Sequence, residues 1–186
     1  MIKISVIDKS LPKAKAVTRT FSMRKDLVDA LEKEARTRSI STSALMNQTI
    51  ERCVNLTWPS DKTGALVIAR DIVSGFIEAL SVDEVAKIGA LSAQRHKNTA
   101  MIVIGTKQNL EAVLDLLAEN YGKNARWFKF THVVNGRDNR ILLNHEMGPK
   151  WSCFLVGYMR SFFMEMLDIP VKSSYTDNTV VLEFKT

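Results

Sequence analysis

Residues 16–35, AVTRTFSMRKDLVDALEKEA, and residues 39–54, SISTSALMNQTIERCV, decide how the rest of the chain is read. In the first stretch Val17, Arg19, Phe21 and Met23 alternate with Thr18, Thr20 and Ser22, the period of two that predicts a strand over 16–23. From residue 26 the period becomes helical, with Leu27, Val28, Leu31 and Ala35 on one stripe. Ser39-Ile40-Ser41 breaks the helix, and Ser41, Thr42 and Ser43 are N-cap candidates for a second one carrying Leu45, Met46, Ile50, Cys53 and Val54. A lone strand is not a sheet, and two short helices bury too little to fold alone, so this pattern calls for a second copy. Two strands paired antiparallel across a two-fold axis would turn Thr18, Thr20 and Ser22 outward on a ribbon of the width a major groove accepts.

The strand, helix, turn and second helix over 16–54 resemble the ribbon-helix-helix family of DNA-binding proteins, the Arc/MetJ/CopG-like group. The resemblance implies base readout by Thr18, Thr20 and Ser22 and a phosphate clamp at Ser41, Thr42 and Ser43, with double-stranded DNA and a homodimer or higher homo-oligomer as partners. Charge distribution agrees with that expectation. Residues 1–56 hold eleven Lys and Arg against six Asp and Glu, whereas 57–186 hold fifteen against fourteen. Lys13, Lys15 and Arg24 are the cations expected to meet phosphates.

Thr57-Trp58-Pro59-Ser60-Asp61 stops the second helix, which divides the chain into domains at 1–57 and 58–186. Beyond it, Ile72, Val73, Phe76, Ile77 and Leu80 mark a helix, and Ser81-Val82-Asp83-Glu84 reads as a capping box opening the next. Met101–Ile104 reads as a strand. Thr106 then caps a helix through Leu110, Val113, Leu114 and Leu117 that ends at Gly122. A hairpin over 126–134 and 139–145 turns at Asn135-Gly136, a long helix spans 149–167, and two strands close the chain at 169–175 and 179–184. From 101 the order is β-α-β-β-α-β, which makes the expected class α+β: a ribbon-helix-helix followed by a ferredoxin-like or ACT-like domain. Regulators of the family often append a sensing domain, so a small-molecule effector is a further expected partner.

His145, Lys150 and Trp151, at a tight Gly-Pro turn before an aromatic helix, are the residues expected to hold such a ligand. A metal site could be drawn from His132, His145 and Cys153, with His96 a further candidate donor, but their spacing matches no metal motif and none is expected. No cofactor is expected. The chain has no G-x-S-x-G, P-loop, H-E-x-x-H or G-x-G-x-x-G, which argues against an enzyme. No apolar run reaches the length of a membrane span, the N-terminus has no secretory signal, and Cys53 and Cys153 form no C-x-x-C pair, so a cytoplasmic protein with reduced thiols and no membrane partner is expected. The expected function is a dimeric transcription regulator. The alternatives are a protein-interaction module, antitoxin-like or scaffold, and a chromatin-type protein that coats DNA without choosing sequence.

Overall fold

The computed structural model describes residues 17–105 and 108–186. They form a helix-rich chain with one sheet near its C-terminus. It divides into two compact units whose boundary falls between Pro59 and Ser60.

In the first unit, helix α1 runs Lys25–Thr37 and α2 Thr42–Arg52, followed by a π-helical turn at Cys53–Thr57; α3, Trp58–Thr63, spans the boundary. Ser39 stands at the break in a left-handed conformation, φ 54°. Ser41 is the N-cap of α2 and accepts from the Ala44 amide at 3.1 Å. Of the expected strand over 16–23, residue 16 lies outside the described residues and 17–23 form no strand. Residues 17–24 carry no regular structure and, Met23 apart, are exposed; all the strands among the described residues pair with one another in the C-terminal sheet. An alternating octapeptide needs a neighbouring strand to satisfy its amides, and its own unit offers none. Without a ribbon the ribbon-helix-helix resemblance fails at its first element.

The second unit is built around α7, Gly148–Leu167, which is buried on two sides. One side meets α5, Val82–Ile104, and the other meets the sheet. The α5–α7 contact is set by two glycines. A Cβ at Gly89 would overlap the Phe154 carbonyl, and one at Gly157 would overlap the Ala86 carbonyl, so only hydrogen at these positions lets the two backbones approach. α5 meets α7 with small residues along one stripe: Val85, Gly89, Ala93 and Ala100 are buried, spaced by four, four and seven.

The sheet is antiparallel in the order β1-β2-β4-β3, with β1 Lys129–Asn135, β2 Asp138–Asn144, β3 Lys172–Tyr175 and β4 Thr179–Lys185. Its register puts Ile141 opposite Leu182 and Leu143 opposite Val180, all fully buried toward α7, while Arg140–Glu183 and Lys185–Asp138 ion pairs cross the outer face. The first hairpin turns through Gly136 and Arg137, one residue later than expected, because Asn135 and Asp138 are still paired and Gly136, φ 60°, supplies the positive angle the turn needs.

A ferredoxin-like or ACT-like order is therefore corrected as well. Met101–Ile104 is the last turn of α5 and not a strand. Met101, Val103 and Ile104 pack against the core while Ile102 is exposed, and Gly105, φ 67°, ends the helix. The following helix α6, Leu110–Asp115, is capped by Asn109, whose side chain accepts from the Ala112 amide; Thr106 lies outside the described residues. It continues as a π-helix over Leu116–Asn124, past Gly122. Before α5 comes α4, Arg70–Glu78, and the Ser81–Glu84 capping box is present with both reciprocal bonds.

Candidate functional site

Two grooves meet in the second unit, on either side of Trp127. The first, of about 370 Å³, is apolar. α4 contributes Val73, Phe76 and Ile77, α5 contributes Val85 and Ile88, the extended segment 65–69 contributes Leu66 and Ile68, and Trp127, Trp151 and Phe154 also line it. The aromatic part is rigid: Trp151 stacks on Phe154 at 4.7 Å, Trp127 meets both edge-on, and the Trp151 Nε1–H donates to the Trp127 carbonyl at 3.4 Å. The rim is apolar too. Leu66 is 82% exposed, Val67 97% and Phe76 67%, with Ile68, Ile72, Val82 and Ile88 also exposed.

The second groove, of about 650 Å³, is cationic. Arg70, Lys123, Arg126 and Lys129 line it against Glu119 and Glu146. Arg70 pairs with Glu146 at 2.8 Å and Lys123 with Glu119 at 3.2 Å. Arg126 and Lys129 are exposed and have no ion pair among the described residues. Arg126 owes its place to the π-helix. The Arg126 amide bonds to the Gly122 carbonyl and the Trp127 amide to the Tyr121 carbonyl, a helix stop in which each bond spans one residue more than in the usual glycine-ended form. Arg126 occupies the left-handed position of that stop, φ 59°, where glycine is the ordinary residue.

Beneath Trp127 lies a neutral polar triangle. His96 Nδ1 is 2.8 Å from the Tyr158 hydroxyl and 3.2 Å from that of Tyr121, and Tyr158 donates to Tyr121 at 3.3 Å. Burial pushes His96 below the usual histidine range, Tyr121 up to about 12, and Tyr158 further up. Neither tyrosine ionises near neutrality, and the triangle joins α5, the π-helix and α7 as a core network.

The residues singled out from sequence are dispersed. Thr18, Thr20 and Ser22 are exposed in the irregular segment, and Lys13 and Lys15 lie outside the described residues. Arg24 is held by Asp26 at 2.6 Å. Ser41 is spent on its own cap, and Thr42 and Ser43 are exposed on the first turn of α2. His145, Lys150 and Trp151 do not converge either. His145 borders the cationic groove, Trp151 lines the apolar one, and Lys150 clamps the end of α4 by donating to the Glu78 carbonyl at 2.7 Å. Two of the amides at the Gly-Pro turn are already taken, since the Gly148 N–H donates to Asn178 Oδ1 and the Met147 N–H to His145 Nδ1.

His145 Nε2 then donates to Ser152 Oγ at 2.9 Å, and Ser152 donates onward to the Thr176 carbonyl at 2.7 Å. The serine proton thus points away from the imidazole, the reverse of what an activated nucleophile needs. His132 bonds Asn139 across the hairpin, and Cys153 donates to the Tyr175 hydroxyl. Among the described residues no three metal-ligating side chains cluster. The residues that build the grooves, Phe76, Trp127, Arg126 and Lys129 among them, were missed by sequence reasoning. The available signal was the run Leu66-Val67-Ile68 next to an amphipathic helix.

No family model and no curated protein matches the chain. A solved structure similar to it is that of a trafficking protein particle complex subunit 3 from Naegleria fowleri, covalently bound to palmitic acid, with 12% identity, a TM-score of 0.44, and coverage of 62% of this chain and 90% of that one. With no strand over 17–24 to form the DNA-reading ribbon, the reading of the chain as a DNA-binding transcription regulator with double-stranded DNA as its partner is withdrawn. No helix among the described residues is long and apolar enough to cross a membrane.

Proposed function

We propose that the second unit is a protein-interaction module that takes an amphipathic helix of a partner protein into its apolar groove. The observation that carries this reading is that Leu66, Ile68 and Phe76, which line the groove beside its stacked aromatic rings, are left in water, with Val67 and Ile72 exposed close to them in sequence. A single exposed leucine is ordinary, but a contiguous apolar patch with a concave centre is the usual mark of a docking face. A groove between helices, lined by α4, α5 and ring faces, suits a helix presenting apolar residues at i, i+3 or i+4 and i+7. Trp151 and Phe154 are fixed by stacking, so little side-chain freedom is lost when the groove is filled. The role is binding and not catalysis, in keeping with the inverted Ser152–His145 bond. We take its setting to be the cytoplasm, since Cys53 and Cys153 are both free thiols.

The test is a display selection of random 16-residue peptides on the full chain, followed by affinity measurements on Phe76→Asp. Phe76 is largely exposed, so the substitution spares the core. Peptides enriched on the natural chain are expected to lose about tenfold or more in affinity for the variant, the scale of a lost aromatic contact at an interface. Failure to enrich any peptide, or equal binding to both proteins, would overturn the reading.

A further inference from the structure

Resting on the docking role just proposed, we infer that the partner's helix carries carboxylates at one end and seats that end between Arg126 and Lys129. The two grooves share a wall. Trp127 lines both, and on α4 Arg70 belongs to the cationic groove while Val73, one turn further, belongs to the apolar one. An occupant that fills the apolar groove and extends past Trp127 enters a basin with four cations and two carboxylates.

Within that basin the charges are unequal in availability. Arg70 and Lys123 are neutralised by Glu146 and Glu119. Arg126 and Lys129 are not, and both stand on the short stretch that also delivers Trp127 to the groove junction. Arg126 further occupies a backbone position that glycine fills at lower cost, so the guanidinium is presented there against the local conformational preference. Unpaired cations at the edge of an apolar groove select an occupant of opposite charge at its corresponding edge. A bilayer of anionic lipid offers the same two chemistries, but a flat surface does not reach Trp151, which is buried at the bottom of a concave groove. A helical peptide does.

The experiment uses the peptides selected above, with Arg126→Glu/Lys129→Glu and Arg126→Gly made in the full chain. The enriched sequences are expected to concentrate Asp and Glu at one end of the apolar repeat. Their affinity is expected to fall about tenfold or more on the double charge reversal, and the natural chain's affinity to fall with added salt more steeply than the variant's. Arg126→Gly keeps the fold, since glycine suits that backbone angle, and is expected to weaken the same peptides several-fold. Enriched peptides without an acidic end, or undiminished affinity in the double reversal while Phe76→Asp still abolishes binding, would overturn this inference and leave the docking role standing. Binding of the natural chain to phosphatidylserine vesicles as tightly as to the peptides, lost on the double reversal, would overturn it in favour of a membrane surface.

Discussion

The two units of this chain are written in the same helical alphabet and end with very different interiors. From Ser60 onward, α5, α7 and the sheet enclose a continuous core in which Tyr158, Phe162, Phe163, Leu117, Leu155 and Met159 are all but inaccessible. Before Pro59, among the described residues only Ala35 and Leu45 are buried, while Val17, Phe21, Leu27, Ile50 and Val54 remain substantially exposed. Both units have an apolar stripe of helical period. What separates them is whether the stripe meets another surface of matching shape, which is where most helical stability comes from. The α5–α7 seam supplies one by giving up side chains altogether at Gly89 and Gly157.

That difference is open to direct attack at the seam. Gly157→Ala places a methyl against the Ala86 carbonyl, and a backbone atom cannot swing aside as a flexible side chain would. The expected loss is about 3 kcal/mol, the upper end of the overpacking range, read as a shifted urea midpoint for the transition of residues 60–186. The counterpart in the first unit is Leu45→Ala, which leaves a cavity at one of the two buried positions there. It is expected to cost about 2–3 kcal/mol locally, raising hydrogen exchange across α1 and α2 with the second unit unchanged. One cooperative transition responding equally to both changes would dissolve the contrast.

The same contrast explains what could be read from sequence. Where a local rule was enough, reading succeeded: the turn at Ser39, the Ser41 cap, the Ser81–Glu84 box, the Gly136 hairpin to within one residue, and the aromatic helix from Pro149 are each set by a few neighbouring residues. Where the outcome depended on a distant partner, it failed. The alternation of 17–23 is strand-like only if something pairs with it, and Met101–Ile104 is apolar and, Met101 apart, β-branched but belongs to a helix because three of its residues have a core to face. The grooves were illegible for the same reason. Trp127, Phe76 and Leu66 are far apart in sequence and meet only after α4, α5 and the π-helix are in place.

Acid offers a second, smaller way to pull the units apart. All three histidines, His96, His132 and His145, lie in the second unit, and burial lowers each below the usual value of 6.5. A group whose folded state resists protonation contributes stability that is complete above the unfolded pKa and is lost as pH falls toward the folded one. Stability of residues 60–186 is therefore expected to decline as pH drops from 7 to 5, measured by thermal unfolding. The first unit has no histidine, so local exchange in α1 and α2, corrected for the intrinsic effect of pH, should stay flat. Glu84 is also lowered, by its bonds to Ser81, but its contribution is lost only below about 4.5 and falls outside the comparison. A second unit indifferent to pH over that interval would show that the histidines are better hydrated than their burial implies.

The smallest expected effect is also the cleanest comparison, because it sets one chemistry in two surroundings. Ser41 caps α2 with a single bond to Ala44, whereas Ser81 caps α5 by accepting from Glu84 while the Glu84 carboxylate returns a bond to the Ser81 amide. Ser→Ala at either position removes a cap worth about 1 kcal/mol. At Ser81 the loss should appear in global unfolding of the second unit, because α5 is part of its core and its first turn does not fray independently of Val85. At Ser41 it should appear only as faster exchange in the first turn of α2, where Thr42 and Ser43 are exposed and the nearest buried residue is Leu45. If Ser41→Ala instead shifted a global transition by as much as Ser81→Ala does, α2 would be under a constraint that the burial of Ala35 and Leu45 does not account for, and the first unit would have to be counted as a cooperative fold of its own.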